Sequence, residues 1–169
     1  MRAVLLILSL FLPVAGWTQQ PVTAANWRNH PAVRAIRVMT EQVDAAARQG
    51  KLRVQTDSAQ CNDGAVGLTA RLYSDSTGRV RKYVVAGGSE DSYREDRYYY
   101  DGRGRLRFGF ETLGAVNGTE QETRQYFDTT GAKLYKDVRL LKGPGYPGDV
   151  EAVVTDPAAD FHALCGPSH

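Results

Sequence analysis

From about residue 68 to residue 141, apolar and polar positions alternate in short runs separated by small or turn-forming residues. That period of two predicts strands near 68–74, 79–86, 93–100, 105–112, 121–127 and 133–141. The pattern is clearest where Leu106, Phe108 and Phe110 alternate with Arg105, Arg107 and Glu111. It predicts a sheet with one face buried and the other solvated. Upstream the period lengthens. Ile36, Met39, Val43 and Ala46/Ala47 recur at three- and four-residue steps, the stripe of an amphipathic helix facing a core. Asn29 or His30 caps its start, Pro31 suits the first turn and Gly50 stops it. Arg37–Glu41 and Asp44–Arg48 are spaced to pair along its surface. Leu52 and Val54 alternate with Lys51, Arg53 and Gln55 as a short strand, and Asp57–Gly67 reads as a loop holding Cys61.

The strands are joined by a repeated turn. Asp75-x-x-Gly78, Asp101-x-x-Gly104 and Asp128-x-x-Gly131 follow Tyr73, Tyr99-Tyr100 and Tyr126-Phe127, at spacings of 26 and 27 residues. The Asp bonds its own backbone two residues on, and the Gly supplies the positive φ that closes the turn. Three hairpins result, over 68–86, 93–112 and 121–141. The third copy has one more residue before its Leu than the second, which predicts a bulge near Ala132. Connectors at 87–92 and 114–119 lie at the opposite end of the sheet from these turns. The expected fold is α+β: an N-terminal helix packed on a twisted antiparallel meander of six or seven strands. A wholly β shell with the helix at its side is the alternative.

The two ends change the picture. Arg2, the apolar run 3–12, Pro13 and the small residues 14–16 follow the plan of a secretory signal peptide, and the run is shorter than the ~20 residues that span a bilayer. The expected organisation is a signal peptide over 1–16, a flexible lead-in over 17–29 and one domain over 30–169. Export gives Cys61 and Cys165 their meaning, a disulfide pinning the C-terminal tail. In that tail 143–148 is irregular, 150–155 is a last short strand, and Asp156 and Pro157 open a short helix reaching toward Leu164.

The second turn, Tyr99-Tyr100-Asp101-Gly102-Arg103-Gly104-Arg105-Leu106, resembles the tyrosine–aspartate (YD/Rhs-type) hairpin repeat of large bacterial surface and toxin-delivery proteins. The other two copies match more loosely, and the sheet also resembles those of small exported bacterial proteins of uncharacterised function. The resemblance implies a structural role for the repeat and carries over no catalytic residue.

Chemistry is sparse. A formal charge of +2 argues against nucleic acid as the main partner. The chain has no nucleophile elbow, phosphate loop or zinc signature. His162 with Cys165 is a metal pair only if Cys165 is unpaired, and Asp156 with Asp160 reads as a cap plus a solvated carboxylate. Asn117-Gly118-Thr119 reads as a turn. No cofactor, metal or enzymatic activity is expected. The candidate binding surface is the solvated sheet face, with Arg71, Arg79, Arg81, Arg105, Arg107 and Arg124 beside Tyr73, Tyr83 and Tyr99. Its competing reading is a ladder in which those arginines pair with Glu95, Glu111, Glu122 and Asp137. The expectation is a monomeric, non-enzymatic, exported module, periplasmic or extracellular, that binds an envelope protein or glycan. A purely structural envelope component and a small hydrolase are the alternatives.

Overall fold

The computed structural model describes residues 20–145 and 153–166. The expected signal peptide and residues 146–152 lie outside them. The elements are α1 (Pro31–Arg48), β1 (Arg53–Cys61), β2 (Val66–Ser74), β3 (Val80–Gly88), β4 (Ser92–Tyr100), β5 (Leu106–Ala115), β6 (Glu120–Phe127), β7 (Lys133–Lys142) and α2 (Pro157–Phe161). The seven strands form one antiparallel sheet in the order β1 to β7, a simple meander with α1 packed on it. This is the expected α+β arrangement.

β1 corrects the expected short strand and loop. It runs through Cys61 and returns at once through a tight turn in which Asn62 and Asp63 take positive φ. Asn and Asp tolerate that conformation better than other side chains. Arg53–Ser58 are all exposed on this edge strand, so nothing forces the alternation that would have marked it. The connectors are also shorter than expected, at 89–91 and 116–119.

Every Asp-x-x-Gly hairpin carries the same bulge, not the third alone. Pairings Tyr73↔Lys82 and Ser74↔Val80 leave Arg81 over, Tyr99↔Phe108 and Tyr100↔Leu106 leave Arg107, and Tyr126↔Tyr135 and Phe127↔Lys133 leave Leu134. The extra residue shifts the pleat by one. Leu106 and Phe108 therefore part company. Leu106 packs with Tyr98 and Tyr100, while Phe108 packs with Tyr99 and Tyr126. The expected single stripe of Leu106, Phe108 and Phe110 is divided between two faces.

Both faces of the sheet are consequently covered in part. On one, Val33, Ile36 and Val43 of α1 are buried with Tyr99 and Tyr126, and Phe108 packs between these clusters. The stretch just before the helix is ordered. Trp27, within the expected flexible lead-in, is 4% exposed, stacks on Tyr135 at 5.3 Å and lies 5.9 Å from Tyr126, so this part of it is packed on the sheet. His30 is the cap: its Nδ1 accepts from Ala32 N at 3.2 Å, and Nε2–H donates to Gln20 O at 2.8 Å. Asp44 turns away from Arg48 toward the sheet, bonding Lys82 Nζ at 2.7 Å and the Tyr99 hydroxyl at 3.1 Å. Arg37 donates to Arg28 O at 2.9 Å and lies over Trp27, in place of the expected pair with Glu41.

On the opposite face, Leu72, Tyr83, Val85, Tyr98, Tyr100, Leu106 and Phe127 pack under Val154, Phe161 and Leu164. A five-residue helix does not hold itself together in water. α2 is held by burying Phe161 and Leu164, worth roughly 2 kcal/mol each, by Asp156 capping Ala159 N at 3.0 Å, and by the Tyr100 hydroxyl donating to Val154 O at 2.8 Å. The Cys61–Cys165 disulfide closes the tail onto the end of β1 across a separation of 104 residues. The bond fits an oxidising, non-cytoplasmic compartment. Among the described residues no helix is long and apolar enough to cross a membrane. Residues 153–155, within the expected last strand, are not strand, and 150–152 lie outside the described set.

Candidate functional site

The arginines divide into two groups once register is known. Those at the turns are occupied in holding successive hairpins together. Arg79 Nη1 donates to Gly102 O at 2.9 Å and Arg81 Nε to Tyr100 O at 3.3 Å. One repeat later, Arg105 Nη1 donates to Thr129 O at 2.7 Å and Arg107 Nε to Phe127 O at 3.1 Å. Each turn thus reaches forward to the backbone on either side of the next turn's Asp. In the third copy the two positions are Ala132 and Leu134, and among the described residues no further hairpin follows.

The turn aspartates complete this edge. Asp75 Oδ1 accepts from Thr77 N and Oγ1 and from Arg79 N, and Asp128 repeats the set with Thr130 and Ala132. Asp101 Oδ1 accepts from Arg103 N at 2.8 Å and Arg105 N at 3.1 Å, while Oδ2 takes Arg105 Nε at 2.9 Å and Nη2 at 2.7 Å. For Asp101, burial pushes the ionisation up, but the Arg105 guanidinium and the two backbone donors outweigh it and hold the carboxyl below its ordinary range. Gly78, Gly104 and Gly131 take φ of 81°, 78° and 91°, the left-handed region that closes each turn.

The tyrosines also leave the expected patch. Tyr83 is fully buried on the α2 side, where desolvation and then the neighbouring Asp160 carboxylate raise its ionisation strongly. Tyr99 is buried beneath α1 with its hydroxyl on Asp44. Tyr73 is half-buried beside Lys82. Of the nine residues expected to form one surface, Arg71 and Arg124 remain on the open part of a face.

These two belong to a row that register alone reveals. Arg71↔Val84, Val84↔Arg97, Arg97↔Phe110, Phe110↔Arg124 and Arg124↔Asp137 are direct cross-strand neighbours. The row lies on the α1 side, beside the row that α1 covers. It places an arginine on every second strand, so adjacent arginine Cα atoms are about 10 Å apart. The Phe110 ring is flanked by Arg97 at 5.5 Å and Arg124 at 4.9 Å. Arg97 pairs with Glu95, and Arg124 Nη2 with Glu122 at 2.7 Å. Arg71 is exposed and makes no hydrogen bond or ion pair among the described residues. Of the expected ladder, among the described residues, Arg124 alone finds its acids, Glu122 and, at 3.9 Å, Asp137; the other acidic contacts go to arginines outside the expected set. Glu111 meets Arg94 at 3.1 Å, and Asp137 meets Arg139 at 2.8 Å.

The α2 side carries a shallow cavity of about 140 Å³ between Val66, Leu68, Val85 and Arg94. Arg94 is committed within it, bonded to Asp96 at 2.7 Å as well as to Glu111. Ser89 and Asp91 of the first connector and Ser92 at the start of β4 bond one another. Asn117 Oδ1 accepts from Thr119 N at 2.9 Å, closing the second connector as a turn. His30 is a helix cap, and Cys165 is in the disulfide and so does not join His162 as a ligand. Among the described residues no three His, Cys, Asp or Glu side chains are grouped to hold a metal ion. Comparisons with family models, with curated proteins and with solved structures find no match to the chain.

Proposed function

We propose that this is an exported, non-enzymatic binding module of the cell envelope, and that its Arg71–Arg97–Phe110–Arg124 row docks an extended acidic segment of another protein. The observation that supports this reading is the spacing. Three guanidinium-bearing positions stand about 10 Å apart along a line, with an aromatic ring between two of them. A segment in the extended polyproline II conformation advances about 3.1 Å per residue with three residues per turn, so carboxylates three residues apart share one face and fall into step with the arginines. Glu95 and Glu122 steady two of the guanidiniums and leave donors on each for a partner, since an arginine carries five N–H groups.

A second reading, a purely structural envelope component, draws on the turn edge, where four of the six expected binding arginines tie hairpin to hairpin. The two readings separate in one experiment. A labelled peptide with Glu at every third position is titrated into the oxidised protein at low salt and followed by anisotropy. A peptide of equal composition with its Glu residues clustered, and a polyuronate glycan, are run beside it. Binding of the spaced peptide, weakened about 2–5-fold by Arg71→Ala and again by Arg124→Ala, supports the module. Equal binding of all three probes, or of none, leaves the structural reading.

A further inference from the structure

We infer that β7 is a self-association edge: two copies pair β7 antiparallel about a two-fold axis at Val138, joining their sheets into one. This goes beyond the acidic-peptide reading and stands on a different strand. Among the described residues β7 has no strand on its outer side. Three of the seven exposed large apolar side chains among the described residues lie on it, Val138, Leu140 and Leu141, about half exposed each. An exposed apolar edge strand is a template for another strand, and proteins that avoid pairing blunt such edges.

The edge is flat over a limited stretch. Leu134 and Leu141 are the extra residues of bulges at either end, so Tyr135–Leu140 is the regular segment available to a partner. Its charges select one alignment. With Val138 opposite the partner's Val138, Asp137 stands opposite the partner's Arg139, and the symmetry makes this pair twice. Lys136 then faces the partner's Leu140, whose side chain its aliphatic stem covers. Moving the axis one residue sets Asp137 against Asp137 or Arg139 against Arg139. Opposed like charges are destabilising and opposite charges stabilising across a strand pair. Asp137 and Arg139 therefore narrow pairing at this edge to one register. Asp137 and Arg139 already pair within one chain at 2.8 Å, so the dimer forms a four-charge cluster at its axis. A two-fold perpendicular to the sheet keeps the α1 sides of both copies on one surface. The contact is short, well below a standard interface, which predicts a dissociation constant in the micromolar range.

The test is sedimentation or light-scattering mass of the oxidised protein from about 5 to about 500 µM, spanning that range. The expected result is a monomer–dimer equilibrium. Arg139→Glu places two like-charged pairs at the axis and should weaken the dimer about tenfold. Val138→Lys, at a half-exposed position, should do the same with the circular dichroism spectrum unchanged. The double exchange Asp137→Arg with Arg139→Asp should restore association to within about threefold, because the opposite-charge pairs reform. A monomer throughout the range overturns the inference. A dimer indifferent to both single variants places the interface elsewhere and overturns it equally. Failure of the double exchange to restore a dimer that the single variants weaken refutes the alignment at Val138.

Discussion

Asp101→Ala tests how the repeat is held. The substitution removes an acceptor for two backbone N–H groups, those of Arg103 and Arg105, and the anchor of the Arg105 guanidinium. Each backbone bond contributes net about 1 kcal/mol. The ion pair is partly exposed, with Arg105 36% and Asp101 13% accessible, and adds no more than about 1 kcal/mol after screening. The sum is about 2–3 kcal/mol. For a chain of this size that corresponds to a fall in melting temperature of roughly 5–10 °C. Arg105 also reaches forward to Thr129 O, and releasing it slackens the next turn. Asp128→Ala is the control: its carboxylate caps the same turn geometry, but among the described residues no arginine stands on it and no further hairpin follows. Urea unfolding followed by circular dichroism, with the slope checked for constancy, gives both losses. An Asp128→Ala loss equal to that of Asp101→Ala would refute the claim that the arginine ties set the middle turn apart.

The acid limb of stability follows from the same group. The folded carboxyl of Asp101 titrates below its unfolded value, so its contribution is complete above about pH 4 and is lost as pH falls through the lowered folded value. Asp101→Asn should flatten that part of the stability–pH profile, and an unchanged profile would exclude Asp101 as its source. Breaking the disulfide with Cys61→Ser and Cys165→Ser should cost up to about 4–5 kcal/mol in the chain-entropy account. It should also let a protease clip the tail before the sheet unfolds; loss of the sheet at the same protease dose would show that the tail is no separable unit. Gly104→Val forces a branched side chain to φ 78° and should destabilise far more than Thr129→Val in the next turn; equal losses would contradict the turn geometry.

The repeat and the helix were legible because each rests on a local rule. Asp followed three residues later by Gly encodes a turn by itself, and Ile36, Met39 and Val43 encode a helix face. What escaped depends on pairing between strands. Arg97 and Phe110 join Arg71 and Arg124 only through the register of β2 to β6, and no spacing along the chain announces it. The single extra residues at Arg81, Arg107 and Leu134 then send neighbours to opposite faces, which misleads any count of alternation that runs through a turn. The start of β1 was expected as a short strand, but its run on to Cys61 was not, for a different reason: a polar edge strand has no buried side to write into its sequence. Tyr83 and Tyr99 looked like surface anchors because a tyrosine serves equally at an interface and in a core, and only the covering helices decide which.

The arginine ties give the sheet a direction of growth. The first two hairpins each donate through a pair of arginines to the one after, and in the third Ala132 and Leu134 stand in place of that donor pair. The array is therefore closed at one end by composition, as the final segment of a chain of like units is closed by a different face. A duplicated unit spliced between the second and third hairpins would inherit both a donor behind it and an acceptor ahead. The same unit added after the third would find no arginine to receive it. Length variation in such a protein is thus expected in the interior of the sheet, with the terminal hairpin carried along unchanged.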